Sequence, residues 1–329
     1  MKTLKFIVAG FGFMGQTHAG SICNTPGMEL AAVVDTLPKE KIAPKGGNIK
    51  TESISWNQLE HVPFFQSLPE ALTNVEADAV LVATPNFLHC GDVLTALDAG
   101  KDVFVEKPLC LKLDEALIIQ KKVEETGRIV QVGFVVRFAQ PYRYLREMVN
   151  GGQLGTLQYL QMHRYTGAPA WWNGVDQKKK LDTALYDLNI HDIDFAISLL
   201  GEPERVRLDM DMHKKFSTSL FASTWNFPNG IPVQIQGGFL RPATVPFRAG
   251  FMAMFERGAL EFTKQFDRQV LLQHTPEESR EIALDTNENP FREEVISFRD
   301  CVLNNRQPEC SVRAAVRNMQ WMEQMLRQQ

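Results

Sequence analysis

The sequence predicts an α/β protein that begins with a doubly wound Rossmann domain and continues with an α+β domain containing a large, mostly antiparallel sheet. Two observations predict this architecture. From residue 4 to 132, short apolar runs alternate with helical patterns, which is typical of a parallel sheet. From 204 to 273, strand-like runs follow one another without helices between them, which indicates antiparallel pairing. A chain of 329 residues can hold two cores, and we place the domains at 1–122 and 123–329.

The composition excludes several classes of protein. A net charge of -4 and a pI near 6.0 argue against nucleic acid or an anionic membrane as a partner. The apolar runs are too short to cross a bilayer, and the N-terminus enters a strand-like run without a signal peptide. The five cysteines are scattered, odd in number and never arranged as C-x-x-C. We therefore expect a cytoplasmic protein with a small-molecule ligand and neither disulfides nor a zinc ribbon.

The first strand-like run, Leu4 to Ala9, leads into a glycine-rich turn and then a helical pattern. The turn consists of Gly10, Phe11, Gly12, Phe13, Met14 and Gly15. In a G-x-G-x-x-G turn, the first glycine makes the tight bend and the second lets a pyrophosphate approach the backbone. The third lets the helix pack on the strand, and the helix N-terminus attracts phosphate. Alone, such a motif can be only a turn.

A carboxylate at the end of the second strand strengthens this interpretation. Leu30 to Val34 is an apolar run, and Asp35 follows it, twenty residues after Gly15. At this place a carboxylate accepts hydrogen bonds from the adenosine ribose and repels a 2′-phosphate. The pattern therefore predicts NAD as cofactor, with NADP less favoured. The alternative is an ordinary turn aspartate.

Two later strands of the first half stop abruptly at polar residues. The run 79–83 ends in Thr84-Pro85-Asn86, and the run 102–105 ends in Glu106-Lys107-Pro108. Ligands bind at the carboxyl ends of parallel strands, and a partly desolvated lysine there can take part in proton chemistry. The alternative for Lys107 is a solvated surface turn.

Together these motifs resemble the Gfo/Idh/MocA oxidoreductases, a family named after glucose–fructose oxidoreductase, inositol dehydrogenase and a rhizopine-catabolism protein. The glycine-rich turn with Gln16-Thr17-His18, the Ala83–Asn86 stretch with His89, and Glu106-Lys107-Pro108 occur in the family's order. The resemblance implies that the nicotinamide end of the cofactor lies among Thr84, Pro85, Asn86, His89, Glu106 and Lys107. It also implies a cis bond between Lys107 and Pro108.

The resemblance continues through the second half of the chain. Residues 133–152 look like the family's crossover, and Arg137 within them is a candidate substrate ligand. Helical patterns at 291–304 and 311–328 close the chain, whereas 40–60 and 166–180 match the family poorly. Trp171 and Trp172 could stack on a sugar ring or belong to the core.

The helical pattern between 183 and 200 places Asp187, His191 and Asp194 on one face, away from an apolar stripe. Asp187 and His191 are four residues apart and are therefore expected side by side. Three interpretations fit: a solvated face, a metal site lacking a third ligand, or an acid/base pair. The family carries D-x-x-x-H here, so the resemblance favours the acid/base pair. Asn189 stands where family members often have glycine.

The resemblance implies an NAD-dependent oxidoreductase that acts on a ring polyol, sugar or sugar derivative, without a metal. His191 would be the general base, Lys107 would stabilise the alkoxide, and Asp187 would orient His191. We expect the substrate in a cleft between the domains, and a homodimer or homotetramer formed through the uncovered sheet face. Two alternatives remain: a glycosidase that uses NAD transiently, and a non-catalytic sensor that binds dinucleotide.

Overall fold

The structure is a computed structural model that describes residues 3–44, 46–47, 51–52, 54–168, 184–211, 219–240 and 242–327. It forms two compact units. The first contains 1–47, 51–135 and 289–317, and the second contains 48–50, 136–288 and 318–329. This division differs from the predicted boundary at 122, because 123–135 and 289–317 belong to the first unit. No helix in the described ranges is long and apolar enough to cross a membrane.

The first unit is built on a six-stranded parallel sheet. Its strands are β1 (Leu4–Ala9), β2 (Met28–Val34), β3 (Phe64–Phe65), β4 (Ala79–Val82), β5 (Asp102–Glu106) and β6 (Val130–Gly133). Its helices are α1 (Phe13–Cys23), α2 (Leu68–Asn74), α3 (His89–Asp98), α4 (Leu113–Thr126) and α7 (Pro290–Leu303). The strand order is β3-β2-β1-β4-β5-β6, which confirms the predicted Rossmann arrangement. The direction of winding reverses between β1 and β4, so a ligand site is expected at their carboxyl ends.

Helix α7 belongs to this unit because it completes the core of the parallel sheet. The ring centroid of Phe298 on α7 lies 6.0 Å from that of Phe6 on β1 and 6.0 Å from that of Phe104 on β5. All three rings are completely buried. A helical pattern in the sequence shows which face is apolar but not which sheet that face covers. The predicted boundary at 122 therefore assigned α7 to the wrong domain.

The second unit is built on an eight-stranded sheet. Its strands are β7 (Leu157–Gly167), β8 (Arg205–Asp211), β9 (Ser219–Phe227), β10 (Ile231–Leu240), β11 (Arg248–Phe255), β12 (Gly258–Gln265), β13 (Arg268–His274) and β14 (Ser279–Glu281). Helices α5 (Gln140–Gly151) and α6 (Ile190–Leu200) lie in this unit, and α8 (Val312–Leu326) has residues in both. The order is β14-β13-β12-β11-β7-β10-β9-β8. Only the β7–β10 pair is parallel among these pairings, so the sheet is mostly antiparallel, as predicted.

One face of the second sheet is covered and the other is partly exposed. Along β9, buried residues alternate with half-buried ones over the whole strand. On the covered face, the ring of Tyr142 from α5 packs 5.3 Å from Phe251 and 5.7 Å from Phe262. These edge-on aromatic contacts hold α5 against the sheet.

Candidate active site

The glycine-rich turn lies at the carboxyl end of β1, against the loop that follows β4. Gly10 has φ +86°, and a Cβ atom there would lie 2.5 Å from the carbonyl oxygen of Ala83. At Gly15 a Cβ would overlap the carbonyl of Gly10. A Cβ at Gly12, in contrast, would meet nothing within 4 Å in the part of the chain that the structure describes. Gly10 and Gly15 therefore allow close packing, whereas Gly12 faces open space.

Helix α1 begins directly after this open space. Its N-cap is Gly12, no described side chain caps it, and its first turn carries no acidic residue. The first N–H groups of a helix have no partner within the helix and attract anions. This combination fits the pyrophosphate of a dinucleotide.

Asp35 connects β2 to the glycine-rich turn. Its Oδ2 accepts a hydrogen bond from the backbone N–H of Phe11 at 2.9 Å, and its Oδ1 accepts from that of Leu37 at 2.9 Å. A carboxylate can accept about four hydrogen bonds, so the half-buried Asp35 retains acceptor capacity for ribose hydroxyls. Asp35 therefore holds the glycine-rich turn, and its contact with the adenosine ribose stays a prediction.

Hydrogen bonds of two side chains, Thr84 and His89, hold the loop after β4 in place. The hydroxyl of Thr84 donates to Asp92 on α3 at 2.7 Å. The ring of His89 is completely buried, with Nε2 2.9 Å from the Thr84 carbonyl oxygen and Nδ1 2.7 Å from that of Pro108. Burial lowers the pKa of His89, although both carbonyls and the charges of Glu106 and Asp92 act to raise it. His89 therefore joins the loops after β4 and β5, and this corrects the predicted direct contact with the cofactor.

The loop after β5 contains the half-buried Lys107, and the Lys107–Pro108 bond is cis, as the resemblance implied. Glu106 is directed into the protein. Its Oε1 lies 2.5 Å from Nε2 of His18, and its Oε2 accepts from the backbone N–H of Lys107 at 3.1 Å. The structure therefore gives Glu106 internal partners in place of the predicted cofactor contact. Pro85 is exposed and Asn86 is half-buried, so both stay candidates for that contact.

In the second unit, Asp187 and His191 lie on one continuous helical segment. Residues Leu185–Asn189 form one turn of π-helix, in which the N–H of Ile190 donates to the carbonyl of Leu185, and α6 follows directly. Asp187 is half-buried and His191 is 9% exposed. Single turns of π-helix next to an α-helix often occur at functional sites, because they redirect side chains that a regular helix would align. The pairing of the two side chains remains a prediction.

Asn189 explains a departure from the family pattern. In the amide orientation that gives both of its polar atoms a partner, it donates to the carbonyl of Ala184 and accepts from the N–H of Gly237, both at 3.3 Å. A Cβ at position 237 would lie 2.7 Å from the Asn189 amide. The glycine expected at 189 is thus replaced by asparagine, and a glycine on β10 provides the space for it.

Arg137 is part of a buried ion pair, which corrects its prediction as a substrate ligand. Its Nε and Nη2 each donate to one oxygen of Asp194 at 2.6 Å, and both side chains are almost fully buried. Asn318 on α8 donates to the same carboxylate at 2.7 Å. Such a bidentate pair fixes α6 from one side.

A second buried pair, which the sequence interpretation missed, fixes α6 to the sheet. Nη2 of Arg164 on β7 donates to Asp192 at 2.8 Å and lies 3.4 Å from the hydroxyl of Tyr142. Arg164 and Asp192 are buried, and burial raises the pKa of Tyr142 above its usual range. The sequence did contain an indication of such pairs: two aspartates lie on a mostly apolar helix, and buried carboxylates need partners. His191 lies directly before Asp192, so these pairs hold its backbone in place.

Trp171 and Trp172, the candidate stacking residues, lie outside the described residues.

Comparison with known proteins identifies the family. The model described as an oxidoreductase family with an NAD-binding Rossmann fold matches residues 4–134, and the model of the family's C-terminal domain matches 142–261. The chain belongs to the Gfo/Idh/MocA oxidoreductase family. This confirms the resemblance found in the sequence.

Two curated relatives show the range of the Gfo/Idh/MocA proteins that this chain is similar to. It is 34% identical over 202 residues to scyllo-inositol 2-dehydrogenase (NAD(+)) of Bacillus subtilis, covering 60% of this chain and 54% of the relative. It is 30% identical over 223 residues to D-glucoside 3-dehydrogenase of Escherichia coli, covering 65% and 59%. The matched region spans about half the length of these relatives.

Solved structures share the fold of this protein. A dehydrogenase from Chromobacterium violaceum has a TM-score of 0.80 at 20% identity, covering 100% of this chain and 95% of that one. An aldose-aldose oxidoreductase from Caulobacter crescentus has a TM-score of 0.79 at 18% identity, covering 99% and 97%. At these identities the likeness shows the Gfo/Idh/MocA fold alone.

Proposed function

We propose that this protein is an NAD-dependent oxidoreductase that transfers hydride between a carbinol carbon of a ring polyol, sugar or sugar derivative and nicotinamide. The observation that carries the proposal is the dinucleotide cradle: the close contact of Gly10 with the loop after β4, beside the open space at Gly12 and the uncapped start of α1. The names of the inositol and glucoside dehydrogenases among its relatives support the substrate class.

The glycine-rich turn, the first N–H groups of α1 and Asp35 would hold the cofactor. Bound NAD would supply the hydride acceptor, which no amino-acid side chain can provide. Asp35 favours NAD, because its carboxylate would face a 2′-phosphate at close range.

His191, Lys107 and Asp187 would manage the proton of the substrate. When the alcohol carbon loses a hydride, its hydroxyl proton must leave, and the imidazole of His191 would accept it. The Lys107 ammonium would donate a hydrogen bond to the same oxygen as negative charge develops there. Asp187 would orient the imidazole. The products are a ketone or lactone, one proton and the reduced cofactor, so atoms and electrons balance.

The test measures turnover and NAD affinity separately. We expect His191→Ala and Lys107→Ala to lower kcat by ~10²-fold or more, the range of a positioned acid/base group. Asp187→Asn should cost less, because the imidazole remains. His191→Ala should bind NAD normally, since His191 serves the substrate. Wild-type kcat in both His191→Ala and Lys107→Ala would contradict the assignment.

A glycosidase that borrows hydride from its substrate and returns it would use the same cradle without net production of NADH. Product analysis distinguishes it, because a glycosidic bond would be cleaved. A sensor would bind NAD without turnover. We also propose a cytoplasmic location, supported by the fact that none of the five cysteines, all of which lie in described residues, forms a disulfide, and a homo-oligomer, supported by the partly exposed sheet face.

A further inference from the structure

Three ionisable side chains meet inside the first unit, beneath the loop that carries Lys107. They are His18 from α1, Glu106 at the end of β5 and Glu294 from α7, and they are 0%, 7% and 0% exposed. One side-chain nitrogen or oxygen atom of each residue lies within 4.8 Å of the corresponding atoms of the other two. Two carboxylates and one imidazole thus share a site that water does not reach freely.

The two carboxylates have different surroundings. Glu106 has partners for both of its oxygens, because Oε1 lies 2.5 Å from His18 Nε2 and Oε2 accepts from the N–H of Lys107. Neither oxygen of Glu294 has a hydrogen-bond partner among the described residues. The same holds for Nδ1 of His18 and for Oε1 of Gln131 on β6. The amide nitrogen of Gln131 donates to the backbone carbonyl of Glu294 at 2.8 Å, which fixes the α7 backbone beside the cluster.

The charges of the cluster do not balance if both carboxylates are ionised. His18 is the partner of Glu106, so an ionised Glu294 would be a buried negative charge without a counterion among the described residues, and such a charge is strongly disfavoured. One further positive charge is needed, either a metal cation or a proton. His18 and Glu106 are in direct hydrogen-bond contact, whereas ligands bound to one metal at about 2.0–2.2 Å would stand about 3 Å apart or more. The geometry therefore favours the proton.

We propose that Glu294 is a positioning residue that keeps a proton at neutral pH, and that this neutral carboxylic acid leaves the contact between His18 and Glu106 undisturbed, so that Glu106 can hold the Lys107 backbone. The contact from Glu106 to the Lys107 N–H provides the physical connection. Replacing the proton on Glu294 by a negative charge would compete for His18 and weaken that connection. The effect on turnover rests on the proposed role of Lys107, but the presence of the proton does not.

The surrounding groups also favour one protonated and one ionised carboxyl in the cluster. Burial raises the pKa of Glu294 well above its usual value, and the Glu106 charge raises it further. Burial alone would raise the pKa of Glu106, but the hydrogen bond and charge of His18, with the charges of Lys107 and His89, bring it below its usual value. Gln131, the remaining neighbour from β6, carries no charge. One carboxyl of the pair therefore holds a proton while the other is ionised.

Two measurements test the proton without any enzyme assay. The infrared spectrum of the wild-type protein at neutral pH should contain a carboxylic-acid C=O band that Glu294→Gln lacks and Glu293→Gln keeps. Glu293 is the matched control, because it lies beside Glu294 on α7 but is half-buried. Metal analysis of the purified protein should find no stoichiometric metal. A missing acid band, or one bound metal ion per chain that Glu294→Gln loses, would overturn the proposal.

The pH dependence of unfolding gives a second, independent test. A raised pKa in the folded state means that folding takes up a proton, so stability is present at low pH and is lost as pH rises through the folded pKa. Relative to Glu294→Gln, the wild type should lose about tenfold in its folding equilibrium constant per pH unit between about pH 4.3, the ordinary pKa of a glutamate, and the folded pKa of Glu294, above which the difference stays constant. Glu293→Gln should follow the wild type. Parallel curves for wild type and Glu294→Gln would contradict the proposal.

Turnover tests the positioning role. Wild-type kcat should fall by about tenfold relative to that of Glu294→Gln as pH rises through the folded pKa of Glu294, with less change in KM, because the glutamine stays neutral at every pH. Equal pH profiles of the two proteins would contradict the positioning role. If Glu294→Gln does not fold, the infrared band of the wild type still shows whether a buried carboxyl is protonated. An inactive wild type would refute the proposed oxidoreductase while leaving the infrared and pH results intact.

Discussion

Replacing Arg137 by alanine tests whether this residue holds the fold or binds the substrate. Arg137 makes two hydrogen bonds of 2.6 Å to Asp194, and the two side chains are only 6% and 1% exposed. Removing one partner of a buried ion pair costs about 3–5 kcal/mol, because the other charge stays buried without its partner. Asn318 still donates to Asp194 at 2.7 Å and compensates part of the loss. We therefore expect Arg137→Ala to lower the free energy of unfolding by about 3 kcal/mol.

The assay is urea-induced unfolding, compared with a matched control. Lys122→Ala removes the cation of an ion pair with Asp98 of similar length, 2.8 Å, but those side chains are 30% and 64% exposed. Exposed pairs contribute little to stability because water screens the two charges, so the control should remain close to wild type. Arg137→Lys should be intermediate, because it keeps the charge and loses the bidentate geometry.

The result that would refute this reasoning is a specific pair of observations. If Arg137→Ala unfolds within about 0.5 kcal/mol of wild type while KM rises tenfold, Arg137 is a substrate ligand after all. A large loss of stability with an equal loss in Asp194→Ala supports the structural role.

Four further predictions concern the cradle and the assembly. Gly12→Ala should change the free energy of unfolding by less than about 0.5 kcal/mol, because its Cβ would meet no described atom. The same Cβ would fill the space proposed for the pyrophosphate, so NAD binding should weaken tenfold or more. Gly10→Ala should instead destabilise the fold by more than about 1 kcal/mol, since φ is +86° there; equal stability of the two variants would contradict this. Asp35→Ser should shift the ratio of NAD to NADP affinity toward NADP by about tenfold, as titration of both cofactors would measure, whereas an unchanged ratio would remove Asp35 from cofactor choice. Light scattering at micromolar concentration should show a dimer or tetramer, and a mass of 37.2 kDa alone would exclude one.

The sequence predicted the features that depend on local chemistry. Gly10, Gly12 and Gly15 occur where a tight turn, an open approach and a close helix contact are needed, and their spacing alone indicates these roles. The abrupt ends of β4 and β5 were predictable because proline cannot continue a central strand. These signals lie within a few residues of one another.

The remaining features depend on partners that are distant in the sequence. Glu106 and His89 lie in motifs expected near the cofactor, but His18 and two backbone carbonyls draw their side chains inward. Arg137 and Asp194 are 57 residues apart, and nothing in either segment identifies the other. Periodicity predicts that a residue is buried but not which residue it contacts. Charged residues inside an apolar pattern therefore indicated buried ion pairs without identifying the partners.

The most direct test of the central claim is hydride transfer itself. The protein would be incubated with NAD and a panel of ring polyols and sugars carrying deuterium on the carbinol carbons, and the reduced cofactor would be followed by fluorescence and mass spectrometry. We predict that at least one substrate yields NADH carrying deuterium, one for each carbonyl formed, and that His191→Ala slows this by ~10²-fold. Tight NAD binding with no deuterated NADH from any member of the panel would contradict the account.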